Sequence, residues 1–266
     1  MISKDTLIVG QYFPGEGFVY SLDPRGKMVS FLILMIFLFF TKTLYGFIPV
    51  FILLLILFIL SKIPVKHVLK GLKPILILLV FTIFFHFFFT EGHVIFKFYF
   101  LKLTREGIVR GSFIGIRLIL LILISSILTF TTTPLELTRG LEFLLLPLEK
   151  IGFPSGELVI MITIALRFIP VLMEEAERII KAQTSRGANF DEGNIFKRAK
   201  SLIPILVPLF VSAFKRAEDL AVAMEIRCFQ PGKKRTYMRK LNWRFSDTIF
   251  LLISIFVSIS PIIFGI

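Results

Sequence analysis

The chain has 266 residues, 56% of them apolar and 32 of them Phe, with a mean hydropathy of +0.85. A soluble domain averages about 45–50% apolar even with Gly counted; here the apolar residues also run in long blocks, which excludes one thick soluble core and indicates an integral membrane protein. A wholly membrane-buried bundle is excluded too, because 18 of the 31 Lys/Arg and 12 of the 18 Asp/Glu fall between Pro134 and Arg244.

The stretch from Met1 to Gly26 is polar and Gly-rich, so insertion is expected through the spanning segments and not through a cleaved signal peptide. Four apolar blocks follow, at Met28–Phe40, Leu44–Leu60, Ile75–Phe89 and Gly111–Phe130. A helix needs about 20 residues to cross a ~30 Å hydrocarbon core. The second and fourth blocks meet that alone. The first and third borrow flanking residues such as Lys27 and Lys73, whose stems can snorkel to the interface. Gly107, Gly111 and Gly115 recur every four residues with Ser112 beside them. Such spacing lets helix backbones approach closely in a bilayer, although glycine is also common in spanning helices generally. His86 reads as a helix-contact residue in the third block, and Arg117 stands near the start of the fourth.

From Leu158 to Ser185 the pattern is a two-sided helix. Thr163, Arg167, Glu174, Arg178 and Lys181 mark one face, and Ile162, Leu166, Ile169, Leu172 and Ala176 the other. Glu174–Arg178 and Glu177–Lys181 have favourable i,i+4 spacing, and Pro170 is expected to kink or break the helix. Arg167 argues against a span here, since a mid-bilayer Arg costs about 2.5–3.5 kcal/mol on insertion scales. The helix is expected along the membrane face or crossing other helices there. A second amphipathic helix starts near Ile195, with Phe210, Phe214, Ala217, Leu220, Ala221 and Met224 on one face. Pro204 and Pro208 interrupt it, and Pro231-Gly232 marks its end.

The two helices resemble each other at an offset of 41: Ala176-Glu177-x-Ile179-x-x-Ala182-x-x-x-Arg186 aligns with Ala217-Glu218-x-Leu220-x-x-Ala223-x-x-x-Arg227 without a gap. Each closes on an arginine, in Ser185-Arg186-Gly187 and Ile226-Arg227-Cys228. Two readings of these arginines stand side by side. One is a cation near a helix C-terminus, worth about 0.3–1 kcal/mol through the helix dipole, with Gly187 as the αL cap. The other is a pair of planar guanidinia gripping carboxylates of a partner.

Basic residues from Lys233 to Arg244 precede a fifth apolar block, Thr248–Ile266, for which Ser246 and Asp247 are the expected N-cap. That basic run serves either as an orientation signal or as a site for anionic head groups, worth about 1 kcal/mol per basic residue near the surface. The Lys-rich second connection (Lys62, Lys66, Lys70, Lys73) and this run put the N-terminus inside and the C-terminus outside. The expected architecture is thus all-α and polytopic. Residues 1–133 form a membrane domain of four helices, residues 134–244 a cytoplasmic or interfacial section of long amphipathic helices, and residues 245–266 a last transmembrane helix.

Several chemistries are excluded. One cysteine, Cys228, and three scattered histidines (His67, His86, His93) offer no disulfide framework and no metal-ligand spacing. No G-x-x-x-x-G-K-[ST] motif is present, so the chain does not bind and hydrolyse ATP by that route. The net charge of +13 is accounted for by the positive-inside rule without nucleic acid.

Pro134-Leu135-Glu136-Leu137, Gly152-Phe153-Pro154, Ala165-Leu166-Arg167-Phe168-Ile169-Pro170, Ala182-Gln183-x-Ser185-Arg186-Gly187 and Ala223-Met224-Glu225-x-Arg227 together resemble the T component of energy-coupling factor (ECF) transporters, the EcfT/CbiQ family. Leu22-Asp23-Pro24-Arg25-x-Lys27 fits the same resemblance, which covers nearly the whole chain. The resemblance implies a non-catalytic membrane scaffold, located in the cell membrane, that joins two ATP-binding cassette ATPase subunits to a membrane-embedded, substrate-binding S component. It implies no cofactor on this chain, with ATP and Mg²⁺ held by the partner ATPases. Ser185, Arg186 and Gly187, and Ile226, Arg227 and Cys228, would then contact the ATPases. The second tripeptide departs from the small–Arg–Gly pattern, which leaves its backbone geometry open. The substrate, a vitamin or a transition-metal ion, would be chosen by the S component.

Two other classes compete. A self-contained secondary transporter should show inverted halves and polar midplane residues, and neither is visible. An integral membrane enzyme would need a carboxylate pair. Glu174 and Glu175 are adjacent on a helix of 3.6 residues per turn, so they point about 100° apart.

Overall fold

The computed structural model describes residues 12–15, 17–98, 101–188, 190, 194–230, 232 and 241–263. In chain order the elements are α1 (Phe18–Ser21), α2 (Pro24–Phe40), a 3-10 turn (Tyr45–Phe47), α3 (Ile48–Ser61), α4 (Val65–Phe89), β1 (Val94–Phe98), β2 (Leu101–Thr104), α5 (Arg105–Thr131), α6 (Pro134–Leu145), a 3-10 helix (Leu146–Ile151), α7 (Ser155–Ser185), α8 (Ile195–Ile226) and α9 (Phe245–Ile263). The fold is mostly helical. The chain divides into two compact units, Met1–Leu144 with Arg239–Ile266, and Leu145–Met238. The last helix therefore belongs with the first helices. α6 up to residue 144 stays with the first unit, where Arg25 stacks over the Phe143 ring at 5.4 Å.

In the first unit, α2, α3, α5 and α9 share one core, built from Phe31, Leu34 and Leu38, then Val50, Leu53 and Leu57, then Leu120, Ile124 and Ile127, and Phe250. Phe31 and Phe250 meet edge-on with ring centroids 5.8 Å apart. The opposite helix faces stay apolar and exposed, at Ile36, Phe39, Ile52, Ile59, Ile77 and Phe81. Helices apolar all round suit a lipid surround. The short apolar blocks are extended at their N-terminal ends. α2 starts at Pro24, behind the N-cap Asp23, and α4 starts at Val65. At about 1.5 Å per residue, these extensions bring both helices near the thickness of the hydrocarbon core.

The third connection departs from an all-α fold. Val94–Phe98 and Leu101–Thr104 pair antiparallel, Lys97 opposite Lys102 and Phe98 opposite Leu101, with a register shift between Val94 and Phe96. The run Val94-Ile95-Phe96-Lys97-Phe98 is rich in β-branched and aromatic residues, which favours strand over helix at this point.

By length and composition, α5 (Arg105–Thr131) and α7 (Ser155–Ser185) are each able to cross a membrane; shorter apolar helical segments lie at Tyr45–Ser61, Ile75–Phe89 and Phe245–Pro261. In α7 the helix continues through Pro170, and in α8 through Pro204 and Pro208. Neither helix is broken at these prolines. An interior Pro removes one hydrogen bond, which long helices of 31 and 32 residues absorb.

Candidate functional site

The 41-residue repeat extends into backbone geometry. At the end of α7, Gly187 N–H donates to Thr184 O at 2.9 Å and Ala188 N–H to Gln183 O at 3.0 Å. At the end of α8, Cys228 N–H donates to Glu225 O at 2.8 Å and Phe229 N–H to Met224 O at 3.0 Å. Both are Schellman closures, and every partner in one is 41 residues from its counterpart in the other. Gly187 has φ 87° and Cys228 φ 57°. The Ile-Arg-Cys tripeptide thus adopts the same left-handed cap as Ser-Arg-Gly, although Cys carries a Cβ that disfavours it. This cap ends α8 at Ile226, ahead of the Pro231-Gly232 stop expected from sequence; Pro231 and residues 233–240 of the basic run lie outside the described residues.

Arg186 and Arg227 therefore occupy one structural position, the C-cap of a long helix. Ser185, Arg186, Gly187, Ile226, Arg227 and Cys228 are all exposed. Among the described residues neither guanidinium has a hydrogen-bond or ion-pair partner. Each is an accessible planar cation carried at the tip of a long helix.

The bodies of α7 and α8 pack together within their unit. Between them lies an open apolar groove of about 400 Å³, lined on α7 by Ile164, Ala165, Phe168, Ile169 and Leu172 and on α8 by Ala213, Arg216, Ala217, Leu220, Ala221 and Met224. Phe210 and Phe214, expected on the same face, stay exposed. Arg216 Nη2 pairs with Glu175 Oε2 at 3.0 Å. It is the one ion pair within 4.0 Å among the described residues. The i,i+4 pairs Glu174–Arg178 and Glu177–Lys181 do not close. Exposed pairs of this kind gain little against the side-chain entropy of holding them.

In the first unit, Gly107, Gly111 and Gly115 are buried where α5 meets α4. A Cβ at Gly107 would come within 2.7 Å of His86 O and 2.9 Å of Phe87 O. At Gly111 it would come within 2.6 Å of the Phe87 ring, and at Gly115 within 2.8 Å of Ile83 Cδ1. Thr104 caps α5, accepting from Gly107 N–H at 3.1 Å and donating to Thr90 O at 2.8 Å.

A buried polar knot was not legible from spacing. Asp247 is not the N-cap of α9. It sits three residues after Arg244, whose N–H donates to Asp247 Oδ2 at 2.6 Å, in the manner of a capping-box acid. Its Oδ1 accepts from Asp23 N–H at 2.8 Å, while Asp23 caps α2 by accepting from Arg25 N–H at 2.9 Å. Lys27 does not snorkel. It is 1% exposed, and its Nζ donates to Thr131 O at 3.3 Å. The Leu22-Asp23-Pro24-Arg25-x-Lys27 motif thus ties the starts of α2 and α9 to the end of α5. The available signal was charged residues flanking apolar blocks, which an interface reading absorbs equally well. The Thr133–Glu136 capping box, with Thr133 N–H to Glu136 Oε2 at 3.0 Å and Glu136 N–H to Thr133 Oγ1 at 3.3 Å, starts α6 at the Pro-Leu-Glu-Leu motif.

Arg117 Nη2 donates to Thr41 O at 3.0 Å, and its guanidinium lies over Phe113 at 4.7 Å and Phe39 at 5.7 Å. Aromatic faces and one carbonyl hold this cation, while its Nε is buried without a hydrogen-bond partner; it anchors α5 to the end of α2.

A family model described as "Cobalt transport protein" (CbiQ) matches residues 16–238. The chain is 48% identical over 243 residues to the energy-coupling factor transporter transmembrane protein EcfT of Ruminiclostridium cellulolyticum, covering 91% of each chain. It is 45% identical over 245 residues to the EcfT protein of Bacillus subtilis, covering 92% of each. With the EcfT protein of Lactococcus lactis it shares 42% identity over 260 residues, covering 97% of this chain and 98% of the relative.

Proposed function

The chain belongs to the CbiQ family of energy-coupling factor transporter transmembrane proteins, and from that premise we propose that it is the energy-coupling subunit of an ATP-driven importer. In this reading it links two ATPase subunits to a membrane-embedded S component that binds a vitamin or a transition-metal ion. The chain itself is non-catalytic, and ATP and Mg²⁺ belong to the partner ATPases.

The observation that carries the reading is the pair of equivalent tips. Two helices end in the same Schellman cap with an exposed, unpartnered arginine at the same position. Two matching cations suit two homologous partners, each offering a carboxylate in a groove. Rigid helices of 31 and 32 residues transmit a displacement of either tip to the apolar groove between them, where the S component is expected to bear.

The spanning arrangement proposed is four helices, α2 to α5, then α6 to α8 on the cytoplasmic side, then α9. α7 is long and apolar enough to cross, but Arg167 lies exposed near its middle, and burying that charge in lipid is costly. α7 is assigned to the membrane face for that reason.

The test is affinity purification of the full chain from native membranes in mild detergent. Recovery of two ATPase chains and one small hydrophobic protein is the expected result. Recovery of the chain alone, with transport by that chain in liposomes, would overturn the reading.

A further inference from the structure

Glu175 and Arg216 are themselves 41 residues apart, so the ion pair joins equivalent positions of the two repeats. From Glu175 to Arg186 is 11 residues, and from Arg216 to Arg227 is also 11. At about 1.5 Å per residue, each arm is about 16 Å long. Two arms of equal length therefore leave one charged contact, and each carries a terminal arginine.

Apart from Arg216, the open groove between α7 and α8 is lined by apolar side chains, with alanines at three of the six α8 positions. Small apolar side chains allow one helix to slide or roll over another, because they interlock weakly. A charged pair with directional hydrogen bonding does not share that freedom. Arg216 lines the groove, and its Nε is buried without a partner. The guanidinium is partly removed from water, where attraction to the carboxylate is stronger than at an open surface.

We infer that the Glu175–Arg216 pair is a pin that fixes where α7 crosses α8 and thereby the separation of the Arg186 and Arg227 tips. Both are positioning residues. The pin's relevance to coupling rests on the function proposed above; the pin itself is a property of this chain alone. Its side chains are 27% and 39% exposed, and pairs of that exposure add little to stability. The test accordingly reads geometry and not melting temperature.

Lys181 and Val222 are exposed equivalent positions on the two arms. Spin labels are placed on cysteines there in the full chain, with Cys228→Gly as background, in lipid nanodiscs. The parent is expected to give one narrow distance peak by pulsed electron resonance. Glu175→Gln and Arg216→Gln should each lose that single peak to a broad distribution, and the exchange Glu175→Arg/Arg216→Glu should recover it. Unchanged distributions in both single variants would overturn the pin, as would broadening that the exchange does not reverse. Co-purified ATPases are measured separately on the same variants. Failure of the coupling reading would appear as absent ATPases with the distance effect intact.

Discussion

The backbone N–H of Asp23 donates to the carboxylate of Asp247 across 2.8 Å and 224 positions of chain. This one bond joins the N-terminus of α2 to that of α9, and the other oxygen of the same carboxylate satisfies Arg244 N–H. Asp247 is 1% exposed, so each of these donors would otherwise be without water or partner.

Asp247→Ala removes both acceptors. A lost cap costs about 0.5–2 kcal/mol, and a stranded buried donor about 1–3 kcal/mol, so a loss of about 2–4 kcal/mol is expected. Denaturation in mixed micelles measures it, with Asp219→Asn on the exposed face of α8 as a control expected to unfold with the parent. Equal midpoints for Asp247→Ala and the parent would refute the knot.

Alanine at the three buried glycines of α5 should cost stability in a set order. At Gly107 the new methyl meets backbone oxygens of His86 and Phe87, which cannot rotate away; at Gly115 it meets the flexible end of Ile83. Overpacking of this kind costs about 1–3 kcal/mol, with Gly107→Ala the worst and Gly115→Ala the mildest. The readout is the apparent melting temperature in detergent. Equal losses at both positions would show that α4 moves as a whole to make room.

Cys228→Gly should stabilise the end of α8 by about 1 kcal/mol, because only the glycine adopts the left-handed cap without a Cβ penalty. Gly187→Ala should destabilise the end of α7 by a similar amount. Hydrogen exchange of the amides at 187–188 and 228–229 reads both directly, slowing in the first variant and speeding in the second.

Arg186→Glu and Arg227→Glu should leave membrane insertion unchanged, since both side chains are exposed and unpartnered among the described residues, and should cost only about 1 kcal/mol each through the helix dipole. ATPase association and coupled uptake should be lost. Lysine at either position should recover only part, lacking the planar fork. Full uptake by the double Glu variant would remove these residues from the mechanism.

Single cysteines at Phe153 and Ser185 bracket α7, again on Cys228→Gly. A membrane-impermeant maleimide should reach both from the cytoplasmic face of vesicles and neither from outside. Labelling from opposite faces would make α7 a span.

The chain's residues by themselves determined the membrane class, the main helices and the arginine at the close of each long amphipathic helix, because these depend on local properties: run length, helical periodicity and near-neighbour identity. The resemblance of Ala176–Arg186 to Ala217–Arg227 was legible for the same reason. Tertiary structure alone decided the fate of the charges. Lys27 reads as a snorkelling residue until Thr131 O is found beside it, and Asp247 reads as an N-cap until Asp23 N–H is found on its other oxygen. Glu175 and Arg216 follow the same rule. Hydrogen bonds and ion pairs act over about 3 Å, and which residues come that close across 41 or 224 positions depends on how helices pack, which periodicity along one helix does not contain.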